Sequence, residues 1–141
     1  MKFSYTLLKQ FVPALKSPRH AADLLTNHLF EVEEISGDSL DIKILANRYS
    51  DAASYWGIAR VLCAALGKRF EVPVAQKITQ DQKLGFKVVV EPHAHCRRMM
   101  AWRFEHIRIG KSPQWLSQAL AASGIRSINT LVDITNYVTL E

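Results

Sequence analysis

The stretch between Phe30 and Ile44 constrains the fold most. Phe30-Glu31-Val32-Glu33-Glu34-Ile35 alternates apolar with acidic side chains, Ser36-Gly37-Asp38-Ser39 supplies turn residues, and Leu40-Asp41-Ile42-Lys43-Ile44 alternates again. A period of two places successive side chains on opposite faces of a strand, so the pattern predicts a hairpin with one face buried.

Helical patterns flank the hairpin. Leu7, Leu8 and Phe11 follow helical spacing after Ser4, a candidate cap, and Pro13 ends that run. Ser17-Pro18 pairs a cap residue with proline at the first helical position, where a missing N–H costs nothing. Ala21, Leu24, Leu25, His28 and Leu29 make one stripe, with His28 read as a half-buried surface histidine. Ser50 or Asp51 is read as the cap of a helix running to Leu66, with Ile58, Val61, Leu62, Ala65 and Leu66 at a period of 3.6. Gly67 closes it in the left-handed conformation. Residues 1–67 thus spell helix, helix, hairpin, helix, an α+β unit.

The remainder changes character. Residues 68–84 are polar and weakly periodic and read as a linker. Residues 86–90 form a continuous apolar run suited to a buried strand, and residues 99–109 read as a second strand. Ser112-Pro113 repeats the cap-plus-proline device before a helix carrying Trp115, Leu116, Ala119 and Leu120, which Gly124 closes. A last helical or mixed segment carries Leu131, Ile134 and Val138. Trp56 and Trp115 are expected in the core.

Composition excludes several classes. An apolar share of 48% and a charged share of 22% are those of an ordinary globular chain. No window approaches the roughly 18 apolar residues needed to cross a bilayer, and Met-Lys-Phe-Ser-Tyr is no secretory signal, so a cytoplasmic location is expected. Cys63 and Cys96 are far apart, and neither has a nucleophile's neighbours. The net charge of +5 permits a nucleic-acid partner. Its densest cationic spot, with His93, His95, Arg97 and Arg98, reads either as a phosphate-facing patch or as solvated surface. His93-Ala-His95 with Glu91 and Cys96 is a poor metal set, and no metal is expected. Isolated glycines make no phosphate-cradling loop, the serines have no assignable His-Asp partners, and no catalytic residue is assigned.

Three stretches in order resemble the bacterial phenylalanyl-tRNA synthetase β subunit. The first is the opening Met1 to Val12. The second is Leu40-Asp41-Ile42-Lys43-Ile44-Leu45-Ala46-Asn47-Arg48 with Ser54-Tyr55-Trp56-Gly57-Ile58-Ala59-Arg60. The third and most specific joins Pro113-Gln114-Trp115-Leu116, Gly124-Ile125-Arg126-Ser127-Ile128-Asn129 and Val132-Asp133-Ile134-Thr135-Asn136-Tyr137-Val138. The chain departs from that family at Ala46, where proline is usual, and in a loop at Tyr49-Ser50-Asp51 one residue longer than common. Only four residues join Ile35 to Leu40, which leaves no room for the family's inserted oligonucleotide-binding barrel.

The resemblance implies a two-subunit ligase that uses ATP and Mg²⁺ to join phenylalanine to tRNA(Phe). Its α subunit would hold the synthetic site within a heterotetramer, and its β subunit would add assembly, tRNA contacts and editing of mischarged Tyr-tRNA. A pocket built for an apolar ring rejects an added hydroxyl poorly, hence the editing. The implied division is an N-terminal α+β domain at 1–67, a linker at 68–84, and the start of an α/β editing-type domain at 85–141. The family's histidine-bearing stretch would follow Leu140-Glu141, so the 141 residues alone are expected to be inactive and to bind no cofactor. Arg126, Asn129, Asp133 and Asn136 would line the editing cleft or face tRNA. Alternatively, Asn129 caps a helix, Asp133 and Asn136 tie loops, and Arg126 pairs with an internal carboxylate. Asn47 and Arg48 read as a structural turn. A reading of a different class is a non-catalytic nucleic-acid-binding or assembly module.

Overall fold

Ser4 both ends a strand and starts a helix. Its side chain accepts a hydrogen bond from Leu7 N at 3.1 Å, which satisfies one of the donors a helix N-terminus leaves open. The computed structural model, which describes residues 1–74, 87–99, 101 and 103–141, is a mixed α/β arrangement. In chain order the elements are β1 (Lys2–Ser4), α1 (Tyr5–Phe11), α2 (Pro18–His28), β2 (Val32–Ser36), β3 (Ser39–Ile42), a 3-10 turn (Ala46–Arg48), α3 (Tyr49–Ala52), α4 (Tyr55–Ala65), α5 (Gln114–Ala122) and α6 (Thr130–Leu140).

The hairpin forms as the alternation predicts, with β2 antiparallel to β3 through a turn at Gly37, whose φ of 57° suits glycine. Leu40 and Ile42 are buried while their neighbours are only partly so, as a one-faced strand requires. The adjacent Glu33 and Glu34 break strict alternation, and a register shift between Val32 and Glu34 accommodates them. A strand not anticipated from the sequence, β1, pairs antiparallel with the other edge of β3, opposing Phe3 to Leu40 and giving the order β1-β3-β2. With three residues it is too short to show a period.

Helices cover the buried face. Ser17 caps α2 through His20 N at 3.1 Å with Pro18 in its first turn, as expected. The expected single helix up to Leu66 is instead α3 followed by α4, and the cap of α4 is Ser54, which accepts from Gly57 N at 3.0 Å. The break allows close packing, because a Cβ at Gly57 would lie 2.4 Å from Asp51 O and 2.7 Å from the Ala52 Cα. Gly67, at φ 64°, follows α4 as predicted. Phe3, Leu8, Leu25, Leu40, Ile58 and Leu62 form the centre of the core.

By its internal contacts the chain forms two units, Met1–Val72 with Ile109–Glu141, and Pro73–Arg108. This grouping differs from the division expected at residue 85. The physical reason is that α5 packs on β1, so Leu116, Leu120 and Leu140 enter the same buried cluster as Phe3 and Leu40. Ser39 Oγ also donates to Ala122 O at 2.7 Å.

The second unit departs from the expected strands. Lys87–Val90 and the described residues of 99–109 form none, and Val88, Val89 and Val90 are exposed. Phe86 and most of the expected linker lie outside the described residues. No helix among the described residues is long and apolar enough to cross a membrane.

Candidate functional site

The polar residues singled out in the sequence converge where α5 turns into α6. Gly124, at φ 77°, follows the end of α5, and Ile125 N returns to Leu120 O at 2.8 Å, a glycine-ended helix terminus. The chain then reaches Asn129, whose Oδ1 accepts from both Leu131 N and Val132 N at 3.1 Å. Asn129 therefore caps α6.

Four residues further on, Asp133 is fully buried and collects three donors. Ser112 Oγ and Ser127 Oγ each donate to Oδ2 at 2.5 Å, and Ile128 N donates to Oδ1 at 2.9 Å. Burial opposes its charged form. The bonds from Ser112, Ser127 and the Ile128 and Asn129 backbone outweigh that, holding the carboxyl below the usual carboxylate range. A carboxylate so occupied organises its surroundings rather than abstracting protons, and Ser112 and Ser127 spend their hydroxyl protons on it.

Ser112 consequently does not cap α5 as expected. Pro113 occupies that cap position without a side-chain bond, because the Ser112 hydroxyl turns to Asp133, a residue 21 positions away. Arg126 is exposed and has no ion-pair partner among the described residues, so the internal carboxylate considered for it is absent there. Asn136 is half-buried on α6. Trp115, expected in the core, is 58% exposed, with its ring edge-on to Tyr137 at 5.6 Å between centroids. Helical spacing placed it beside Leu116, but only one of two adjacent residues can face β1.

Asn47 and Arg48 lie in the 3-10 turn. Arg48 Nη2 meets Asp51 Oδ2 at 2.6 Å, Nε donates to both Asp51 oxygens at 3.0 Å, and the guanidinium sits 5.5 Å from the Phe30 ring centroid. A groove of about 500 Å³ opens beside α4, bordered by Leu29, Arg48, Arg60 and Val61. Arg60 is tethered there to Asp51 O at 3.0 Å. His28, read as half-buried, is an exposed residue on its rim.

Sequence reasoning missed two long-range polar links, one of them buried. Tyr55 Oη accepts a bond from Ser4 N at 2.6 Å and is hydrogen-bonded to Ser123 Oγ at 2.5 Å, and burial pushes its hydroxyl pKa up. Asp38 gathers Ser4 Oγ, Thr6 N and Thr6 Oγ1 at 2.5–2.8 Å. Sequence separations of 30 residues or more leave no local signal for either. Cys63 is buried and Cys96 exposed, both free. No group of three or more metal-ligating side chains occurs among the described residues.

Comparison with known proteins bears on these features. A family model described as the B3/4 domain matches residues 95–141. The phenylalanine–tRNA ligase β subunit of Desulfotalea psychrophila is 36% identical over 108 residues, covering 77% of this chain and 13% of that protein. The Synechocystis subunit is 41% identical over 103 residues, covering 72% of the chain and 12% of the relative. A Synechococcus subunit is 32% identical over 134 residues, covering 95% and 16%. The chain thus spans about one-sixth or less of the length of these relatives. Over most of its own length, it belongs with the phenylalanine–tRNA ligase β subunits.

Proposed function

We propose that the chain serves as part of a phenylalanine–tRNA ligase β subunit, in an enzyme that charges tRNA(Phe) with phenylalanine. The observation that carries this reading is 32–41% identity to such subunits across 72–95% of the chain. In that role it would assemble with an α subunit in a cytoplasmic heterotetramer, and the α subunit would use ATP and Mg²⁺. Editing of Tyr-tRNA would belong to the same β subunit.

The polar cluster at α6 supports a scaffolding share in that work. Asn129 and Asp133 have their acceptors filled from within the chain, so they shape the α5–α6 turn. Exposed Arg126 and half-buried Asn136 keep polar atoms for a tRNA or a cleft. By itself the chain is expected to leave Tyr-tRNA(Phe) intact, because the carboxylate that receives both hydroxyl protons is held below the usual range and is too weak a base to activate them. Placing this chain in the matching stretch of the Desulfotalea psychrophila β subunit, beside its α subunit, should preserve phenylalanine charging. A chimera that folds and assembles yet charges no tRNA would break the reading.

A further inference from the structure

The two edges of the sheet differ. At one edge α5 packs on β1, whereas no strand lies beyond β2 at the other among the described residues. Ile42 N donates to Met1 O and Lys43 N to Glu31 O, both at 2.9 Å. Successive residues along β3 and its continuation therefore bond alternately to β1 and β2. Asp41 and Ser39 serve β2, where they oppose Glu34 and Ser36. Ile35 lies between those two and opposes Leu40, whose backbone faces β1. The N–H and C=O of Ile35 consequently point to the open edge, where one more strand can pair.

A groove of about 540 Å³ lies between α2 and β2, bordered by Ala22 and Thr26 from the helix and by Val32, Glu34 and Ile35 from the strand. Val32 and Ile35 are half-buried, so each keeps apolar surface that an incoming side chain can cover. Glu33, the extra residue at the register shift, and Glu34 are both exposed. Neither has a cation at ion-pair distance among the described residues. The two glutamates select the occupant. A second copy pairing edge to edge would crowd four of them along one ladder, where like charges repel. A basic strand is attracted by the same charges.

We propose that the open edge of β2 is a docking site for an extended segment of another protein in which Lys or Arg alternates with β-branched residues. Main-chain bonds to Ile35 fix its register, the branched side chains cover Val32 and Ile35, and the cations neutralise Glu33 and Glu34. Alternation of side chains along a strand lets one segment do both. The docking rests on the sheet alone and holds whether or not the chain serves in a ligase.

The test titrates the whole ¹⁵N-labelled chain at low salt with a synthetic peptide of four Lys-Val repeats, its ends blocked. The peptide should shift the Ile35 amide resonance and slow its exchange with solvent, while the Leu40 amide, already paired with β1, stays unchanged. Glu33→Gln/Glu34→Gln should weaken binding about fivefold, as two exposed charge pairs allow. The control Glu71→Gln/Glu91→Gln, also exposed, should stay within about twofold of the parent. A peptide methylated at all its backbone nitrogens keeps its charges but donates no main-chain bond, and should bind about tenfold more weakly. No shift at Ile35, equal losses in the two glutamine variants, or undiminished binding of the methylated peptide would each overturn the proposal. So would a Glu-Val peptide that binds as tightly, or dimerisation of the chain through this edge that the Lys-Val peptide does not reverse.

Discussion

Helix α4 and the valines at 88–90 are similarly apolar in sequence and meet opposite fates. In α4, Tyr55, Ile58, Ala59 and Leu62 are fully buried. Val88, Val89 and Val90 remain 42–65% exposed. A stripe at a period of 3.6 needs cover on one side, and α1 and α2 both pack on α4. Three consecutive valines share no single face in any regular element and need cover on more than one side. Hydrophobicity alone therefore does not place a residue in a core; a matching surface must be within reach.

The largest effect that could break this contrast lies at Leu62. Leu62→Ala should cost about 2–5 kcal/mol, read as a lowered urea midpoint, because a fully buried leucine leaves a cavity that its neighbours fill only in part. A loss under about 1 kcal/mol would mean that α4 is not the core helix described.

Asp133 tests whether the α5–α6 turn shares that rigidity. Its folded carboxyl titrates below the ordinary range, so its stabilising share is complete above the unfolded value near 3.9 and disappears as pH falls through the lower folded value. Asp133→Asn should therefore lower Tm at pH 7, with a gap that narrows as the pH drops below about 4. A gap constant from pH 7 to pH 3 would show that the charge on Asp133 contributes nothing.

The smallest effect belongs to the valines. Val89→Ala should change stability by less than about 0.5 kcal/mol, since little of its surface leaves water. A loss comparable to that at Leu62 would erase the contrast and reveal cover for the stretch.

Much of the fold was legible. Ser4, Ser17 and Gly67 marked helix ends because capping depends on side chains within three or four residues, and the Leu40–Ile42 alternation marked a one-faced strand for the same local reason. Ser112 misled because its hydroxyl found an acceptor 21 residues away instead of the backbone beside it. In the candidate site, Asn129 was readable as a cap, whereas the three donors around Asp133 were not, since one comes from the far side of α5 in sequence.

The sequence by itself determined which segments become helix or hairpin, where most of them stop, and which ligase subunits the chain resembles. Each of those properties is written in spacings of a few residues or in the residues read in order. Only the tertiary structure decided that β1 completes the sheet, that α5 joins the N-terminal elements, and that Trp115 faces outward while Tyr55 links Ser4 to Ser123. Those outcomes depend on which surfaces meet across tens of residues, and no local period encodes them.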